Sequence, residues 1–174
     1  ATAVAAERGA SQVIVIDGQQ HRLDWAMKCG ATSTVSMAEY KTAESRVERV
    51  RELTHGIGAD IVVEVVGVAE AAYEGLDMVR INGTYLDIGN IGGGRLDIPA
   101  GKIIGNQTKW VGTVHYNPWI IEAALQFLVK TKNQYQLMDV VSDHFPLEKI
   151  NEAFEFAEWQ GKKQGTQAQR VALS

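Results

Sequence analysis

The chain has 174 residues, with 17 basic and 21 acidic side chains, a net charge of −4 and 45% apolar residues. That length supports a sizeable core, and the composition is that of a folded globular protein rather than a disordered one. A pI near 5.6 without a Lys/Arg cluster argues against nucleic-acid or membrane-surface binding, and no apolar run approaches the roughly 18 residues of a membrane helix. A single cysteine, Cys29, excludes a disulfide framework and a Cys-rich zinc site. With no signal-peptide pattern, this points to a cytoplasmic setting.

The opening Ala1 to Arg8 reads as helix interior, closed by Gly9 where a helix end needs a left-handed residue. No Met stands at the start, so the sequence reads as a piece of something longer. Val13 to Ile16 is a short apolar run ending in Asp17-Gly18, the pattern of a strand buried on both faces. A short helix follows over Arg22 to Gly30, then a β-branched strand over Thr32 to Met37. Thr42 and Glu44 open a helix with Val47, Val50 and Leu53 on one face and His55-Gly56 at its end. Ala59 to Gly67 reads as a buried strand, and Ala69 to Arg80 as a helix with Ala69, Ala72, Tyr73, Leu76 and Val79 inward. Asn82-Gly83 reads as a turn into a strand over Thr84 to Gly89, and Lys109 to Tyr116 as one more strand. Asn117 and Pro118 start a helix that ends near Lys130 and Lys132. Asp139 to Phe145 suggests a strand, Pro146 to Trp159 a helix with Ile150, Ala153, Phe154 and Ala157 on one stripe, and Gln169 to Leu173 a terminal strand. The polar stretch from Gly161 to Gln169 reads as a mobile surface loop. Strand and helix alternate throughout, which implies βαβ units and a mostly parallel, doubly wound α/β sheet.

In such a sheet, an acid at the end of the second strand accepts hydrogen bonds from the adenosine ribose of NAD and repels the 2′-phosphate of NADP. Asp17, with Gly18 in the turn beside it, fits that place, although Asp-Gly also makes ordinary turns. Arg22 is placed to touch the same ribose or adenine. The G-x-G-x-x-G turn that accompanies this acid lies roughly 20 residues before it, so the fingerprint would fall upstream of Ala1. Gly89 to Gly94 is glycine-rich, but Arg95 to Pro99 does not read as a helix, so no helix N-terminus is offered to a phosphate there. Loops at the carboxyl ends of parallel strands still line ligand crevices, which makes Gly67, Ile88, Gly89 and Asn90 candidate cofactor contacts. His21, His55, His115 and His144 show no metal-ligand spacing with one another or with Cys29, so no metal site is expected from this chain. The Tyr/Lys pair of short-chain dehydrogenases, a G-x-S-x-G elbow and a phosphate-binding GK[ST] loop are all missing.

The runs ERGASQVIVID, KCGAT, GIGADIVVEVVG, RINGTYLDIGNIGGG and FPLEKINEAFEF, in that order, resemble the cofactor domain of medium-chain dehydrogenases/reductases. The likeness is greatest to the zinc-type alcohol, polyol and threonine dehydrogenase branch. The resemblance implies a Rossmann-type doubly wound sheet, incomplete at its N-terminus because the first strand and glycine fingerprint are absent. It implies residues 1–138 as the NAD(P)-binding domain and 139–174 as a segment returning to an absent catalytic domain. By the same resemblance, Asp17 is the ribose acid, Arg22 lies beside the adenosine, and Gly67 follows the strand flanking the adenine. Ile88, Gly89, Asn90, Thr113 and His115 line the nicotinamide, and Arg170 lies near the pyrophosphate.

The implied activity is hydride transfer between an alcohol or polyol and NAD, with catalytic zinc held only in a full-length parent and this chain inactive alone. A small-molecule alcohol, and a homo-oligomer (dimer or tetramer) formed through the Lys109 to Tyr116 strand, complete the expectation; nucleic acid and membrane are not expected partners. A non-catalytic dinucleotide-binding or structural fragment is an alternative, as is a zinc-free quinone-reductase-type enzyme, which Asp17 disfavours because such enzymes use NADPH. A methyltransferase also carries an acid at its second strand, but the later motifs do not fit one. Without a first strand, Val13 to Asp17 and Ala59 to Gly67 lack the partner that belongs between them. Association through that gap, or a longer parent, is therefore expected.

Overall fold

The computed structural model describes residues 1–89, 94–158 and 170–174. In chain order the elements are α1 (Thr2–Glu7), β1 (Ile14–Asp17), α2 (Gln20–Lys28), β2 (Ser33–Ser36), α3 (Ala43–Leu53), β3 (Ala59–Glu64) and α4 (Ala71–Met78). They continue with β4 (Val79–Asp87), α5 (Ala100–Asn106), β5 (Lys109–Gly112), α6 (Trp119–Thr131), β6 (Asp143–Phe145), α7 (Ile150–Glu158) and β7 (Val171–Leu173). Two compact units emerge, one of Ala1 with Met37–Ile121, the other of Thr2–Ser36 with Glu122–Ser174.

In the first unit β3, β4 and β5 form a parallel sheet in that order. Glu64 pairs with Asp87 and Asp87 with Gly112, so the three strands end level with one another. Thr42 caps α3 through a reciprocal box: its hydroxyl accepts from the Ser45 amide, and the Ser45 hydroxyl accepts from the Thr42 amide. The core is Ala72, Leu76 and Tyr85, with Val62, Leu96, Ile98, Ile103 and Trp110 packed around it. Gly75 makes that core possible, because a Cβ there would stand 2.5 Å from Cε2 of Tyr85. The Tyr85 ring meets Trp110 edge-on, with centroids 5.1 Å apart. Arg46, on α3, is buried and gives a two-pronged ion pair to Glu74 on α4, each prong 2.6 Å.

In the second unit β1 and β2 pair in parallel, Ile14 with Ser33 through Asp17 with Ser36. Leu23, Ala26, Cys29, Ala31 and Val35 are buried. Gly30 ends the α2 region at φ +95°, and a Cβ there would meet Ala6 at 2.8 Å and Tyr135 at 3.0 Å. Trp25 donates to the Gln136 carbonyl, and Glu7 holds Lys130 at 2.5 Å. β6 and β7 make a second parallel pair.

The structure corrects several sequence expectations. β1 is half-buried along its length rather than buried on both faces, and β2 is its only strand neighbour among the described residues. β3 is similarly open: Ile61 is 61% exposed, Val63, Val65 and Val66 are also exposed, and only Glu64 is buried. The cause is again an edge, since β3 pairs with β4 alone among the described residues. Asn82-Gly83, expected as a turn leading into the strand, instead lies inside β4. Asn82 takes φ +58°, and pairing steps from Ala59–Val79 to Ile61–Thr84, so the extra residues loop out as a bulge. Val79 consequently begins the strand and is not on the helix before it.

Other boundaries shift as well. β5 stops at Gly112, short of Tyr116, and α6 begins at Trp119, one residue after Pro118. Leu137–Val140 forms a 3-10 turn where a strand was expected to begin. Of the α7 stripe, Ala153 is buried but Phe154 is exposed, while Phe156 packs against Phe145 at 5.6 Å. α5 had no counterpart in the sequence pattern; its short Ala-Gly-Lys-Ile-Ile-Gly-Asn run carries two glycines and no capping side chain. The loop expected at 161–169 lies outside the described residues.

Candidate functional site

The C-terminal ends of parallel strands collect the candidate residues, in two groups. In the second unit, Asp17 closes β1, and the following Gly18-Gln19 turn leads directly into α2. Asp17 Oδ1 accepts from the Gln19 amide at 2.8 Å, which fixes the carboxylate in an Asx-type turn. Its Oδ2 lies 3.9 Å from Arg22 Nη1, a loose pair on the first turn of α2. The Asp17 side chain keeps 28% of its surface exposed. It therefore offers acceptor capacity to a ligand while its orientation is held by the backbone. The structure brings Asp17, Gly18 and Arg22 together as the sequence spacing suggests.

In the first unit the loops after β3, β4 and β5 sit side by side, because their strands end in register. Gly67 follows β3 at φ +80°, and its missing side chain lets the Gly89 carbonyl approach: a Cβ would be 2.8 Å from that oxygen. Gly89 is tighter still, since a Cβ there would meet the Gly67 nitrogen at 2.5 Å and the Val65 carbonyl carbon at 2.8 Å. Ile88 and Gly89 both donate backbone N–H groups to the Glu64 carbonyl. Thr113 donates its amide to the Asp87 carbonyl and its hydroxyl to the His115 carbonyl, and both Thr113 and His115 are exposed. Asn90 lies outside the described residues. Arg170 is exposed beside β7, and its carbonyl accepts from the Ser142 amide.

Sequence reasoning missed Glu64. Within ADIVVEVVG it passed as an interruption of an apolar strand, yet it is 4% exposed. Its Oε1 accepts from the Val66 and Gly67 amides at 2.5 and 2.8 Å, and its Oε2 from the Gly89 amide at 3.1 Å. The available signal was a lone acid at the end of a β-branched run, three residues before a glycine. A buried carboxylate needs donors, and the backbone of the next loop is the nearest source.

Among the described residues, no group of three or more His, Cys, Asp or Glu side chains is gathered so as to hold a metal ion. Nor is any described helix long and apolar enough to cross a membrane.

Parallel strands alternating with helices, and candidate residues at the strands' carboxyl ends, define a Rossmann-type cofactor domain. The chain belongs to the zinc-binding dehydrogenase family, whose model matches residues 1–130. It is 31% identical over 156 residues to 5-exo-hydroxycamphor dehydrogenase of Pseudomonas putida, a match covering 89% of this chain and 43% of that protein. To L-threonine 3-dehydrogenase of Bacillus subtilis it is 33% identical over 166 residues, with the same two coverages of 89% and 43%. The crystal structure of an alcohol dehydrogenase from Thermotoga maritima superimposes with a TM-score of 0.85 at 26% identity, covering 99% of this chain and 45% of that one. The chain thus spans less than half the length of the relatives it matches.

Proposed function

We propose that this chain is the NAD-binding portion of an oxidoreductase that transfers hydride between a small alcohol or polyol and NAD. The observation that carries the reading is Asp17. It is an oriented, partly exposed carboxylate at the carboxyl end of a parallel strand, in a chain whose family is that of dehydrogenases. A vicinal diol presents two O–H donors that a carboxylate accepts together, and the same charge repels a phosphate ester in place of either hydroxyl. Arg22 sits close enough to steady the carboxylate or to touch the adenosine.

Gly18, Gly67, Ile88, Gly89, Asn90, Thr113, His115 and Arg170 belong to the same proposal as cofactor contacts. Gly67 and Gly89 contribute by keeping Cβ atoms away from a tightly packed backbone. NAD, when bound, supplies the carbon that accepts the hydride. The chain's residues hold and orient that dinucleotide and exclude its 2′-phosphorylated form. Among the described residues no cluster of His, Cys, Asp or Glu suits zinc, and we assign the catalytic zinc to ligands outside this chain. The segment 139–174, in this reading, returns to a catalytic domain; the whole protein is a cytoplasmic homo-oligomer.

Titration of protein fluorescence with NADH, with NADPH in parallel, tests the proposal. Saturable micromolar NADH binding, with NADPH at least tenfold weaker, is the expected result. Equal affinity for the two dinucleotides removes Asp17 from its role, and binding of neither removes the reading.

A further inference from the structure

The loops after β3 and β4 approach each other more closely than their sequences suggest, and one side chain stands at the junction. Glu64 closes β3, is buried, and spends both carboxylate oxygens on backbone amides: Val66 and Gly67 in its own loop, Gly89 in the neighbouring one. Its carbonyl takes one more amide from the neighbour, Ile88 at 3.0 Å, and shares the Gly89 amide at 3.2 Å. A single residue therefore holds four backbone amides across two loops that follow adjacent strands. We propose that Glu64 is a positioning residue for dinucleotide binding, setting the backbone of Val66–Gly67 and Ile88–Gly89 before the ligand arrives.

The inference rests on the proposed NAD-binding role of these loops and adds to it the residue that preorganises them. Charge matters as much as reach. A carboxylate has only acceptor sites, and all three side-chain contacts here are N–H donors. An amide in its place puts an NH2 group against at least one backbone N–H, a donor facing a donor. The junction has no slack in which to turn the misplaced donor aside, because the Gly67 nitrogen and the Gly89 carbonyl already leave no room for a Cβ on either glycine, so the clash is relieved only by the loops parting. The loops accordingly lose their set geometry while the strands beneath them, paired from Ile61–Thr84 through Glu64–Asp87, remain in register. Cofactor affinity, which depends on a backbone already in position, falls for that reason.

The test uses the full protein that carries this chain, as wild type and as Glu64→Gln, with NADH as the probe. Both are titrated at a temperature where circular dichroism shows each to be fully folded, and the amides of Val66, Gly67 and Gly89 are followed by hydrogen exchange without ligand. The expected result is an NADH dissociation constant raised about tenfold in Glu64→Gln, with exchange at those amides accelerated. An unchanged dissociation constant beside a lowered melting temperature makes Glu64 a merely structural residue and overturns the inference. Fast exchange at the same amides in the wild type overturns it as well, and that measurement does not depend on the variant folding. Failure of the wild type to bind NADH defeats the proposed function itself, a result separable from a wild type that binds and a variant that binds equally well.

Discussion

Asp17 and Glu64 each end a parallel strand of this chain, and they are put to opposite uses. Asp17 accepts one backbone hydrogen bond, keeps a loose partner in Arg22 and leaves surface to solvent. Glu64 accepts three side-chain hydrogen bonds from backbone amides and is buried. The first carboxylate is oriented but uncommitted, which suits recognition of something outside the protein. The second is consumed internally, which suits holding a shape. Burial and the number of donors separate the two roles; residue type and strand position do not.

That contrast can be sharpened by substitution, and the largest effect on stability is expected at a third acid used wholly internally. Glu74→Ala leaves the buried Arg46 guanidinium without its two-pronged partner. Loss of about 3 kcal/mol in chemical unfolding is expected, with the NADH-to-NADPH preference unchanged. A cost below about 1 kcal/mol would place that pair among the weak surface bridges.

Gly89→Ala comes next. Its Cβ meets backbone atoms of Gly67 and Val65 within 2.8 Å, and backbone cannot swing aside as a long side chain can. A stability loss of about 2 kcal/mol with weakened NADH binding is expected, read by thermal unfolding and titration together. Wild-type affinity in this variant would show that the glycine junction is irrelevant to the ligand.

Asp17→Ala, by contrast, removes one hydrogen bond and costs about 0.5 kcal/mol of stability. It weakens NADH about tenfold and narrows the gap to NADPH. A large stability loss without a change in preference would make Asp17 another internal acid and erase the contrast.

The smallest effect is expected at Glu7, whose carboxyl the Lys130 ammonium holds below the usual carboxylate range. A lowered folded-state value contributes stability that is present above the ordinary carboxylate pKa and lost as pH falls through the lowered one. Lys130→Met should therefore remove a small stability increment at neutral pH, with the difference from wild type closing as pH falls below about 4.5 and the acid limb correspondingly shallower. An unchanged acid limb would show that the pair contributes nothing measurable.

Much of this architecture was legible in the sequence. Gly9 and Gly30 end helices with positive φ because their positions follow apolar helical patterns. Thr42 caps α3 where a small hydroxyl residue precedes an amphipathic run, and Asp17 stands out because an acid follows an unbroken apolar strand. What was hidden depends on pairing. Asn82-Gly83 has the composition of a turn, and only the neighbouring β3 turns it into a bulge inside β4. The apolar residues of β3 pointed to burial, but burial of a strand is set by what lies beside it. Glu64 left only a faint local trace, because its link between the two loops comes from an amide 25 positions away. α5 lacks both periodicity and a capping side chain, so nothing local announces it.

In the proposed function, strand ends of this chain hold a dinucleotide and Asp17 reads its ribose. Amide hydrogen exchange of the full protein with and without saturating NADH tests it most directly, because it reports on named residues rather than on total affinity. The account predicts slowed exchange at Gly18 and Gln19 beside Asp17 and at Gly67, Ile88 and Gly89, with NADPH at the same concentration protecting the first group far less. Protection confined to other segments, or identical protection by the two dinucleotides, would contradict it.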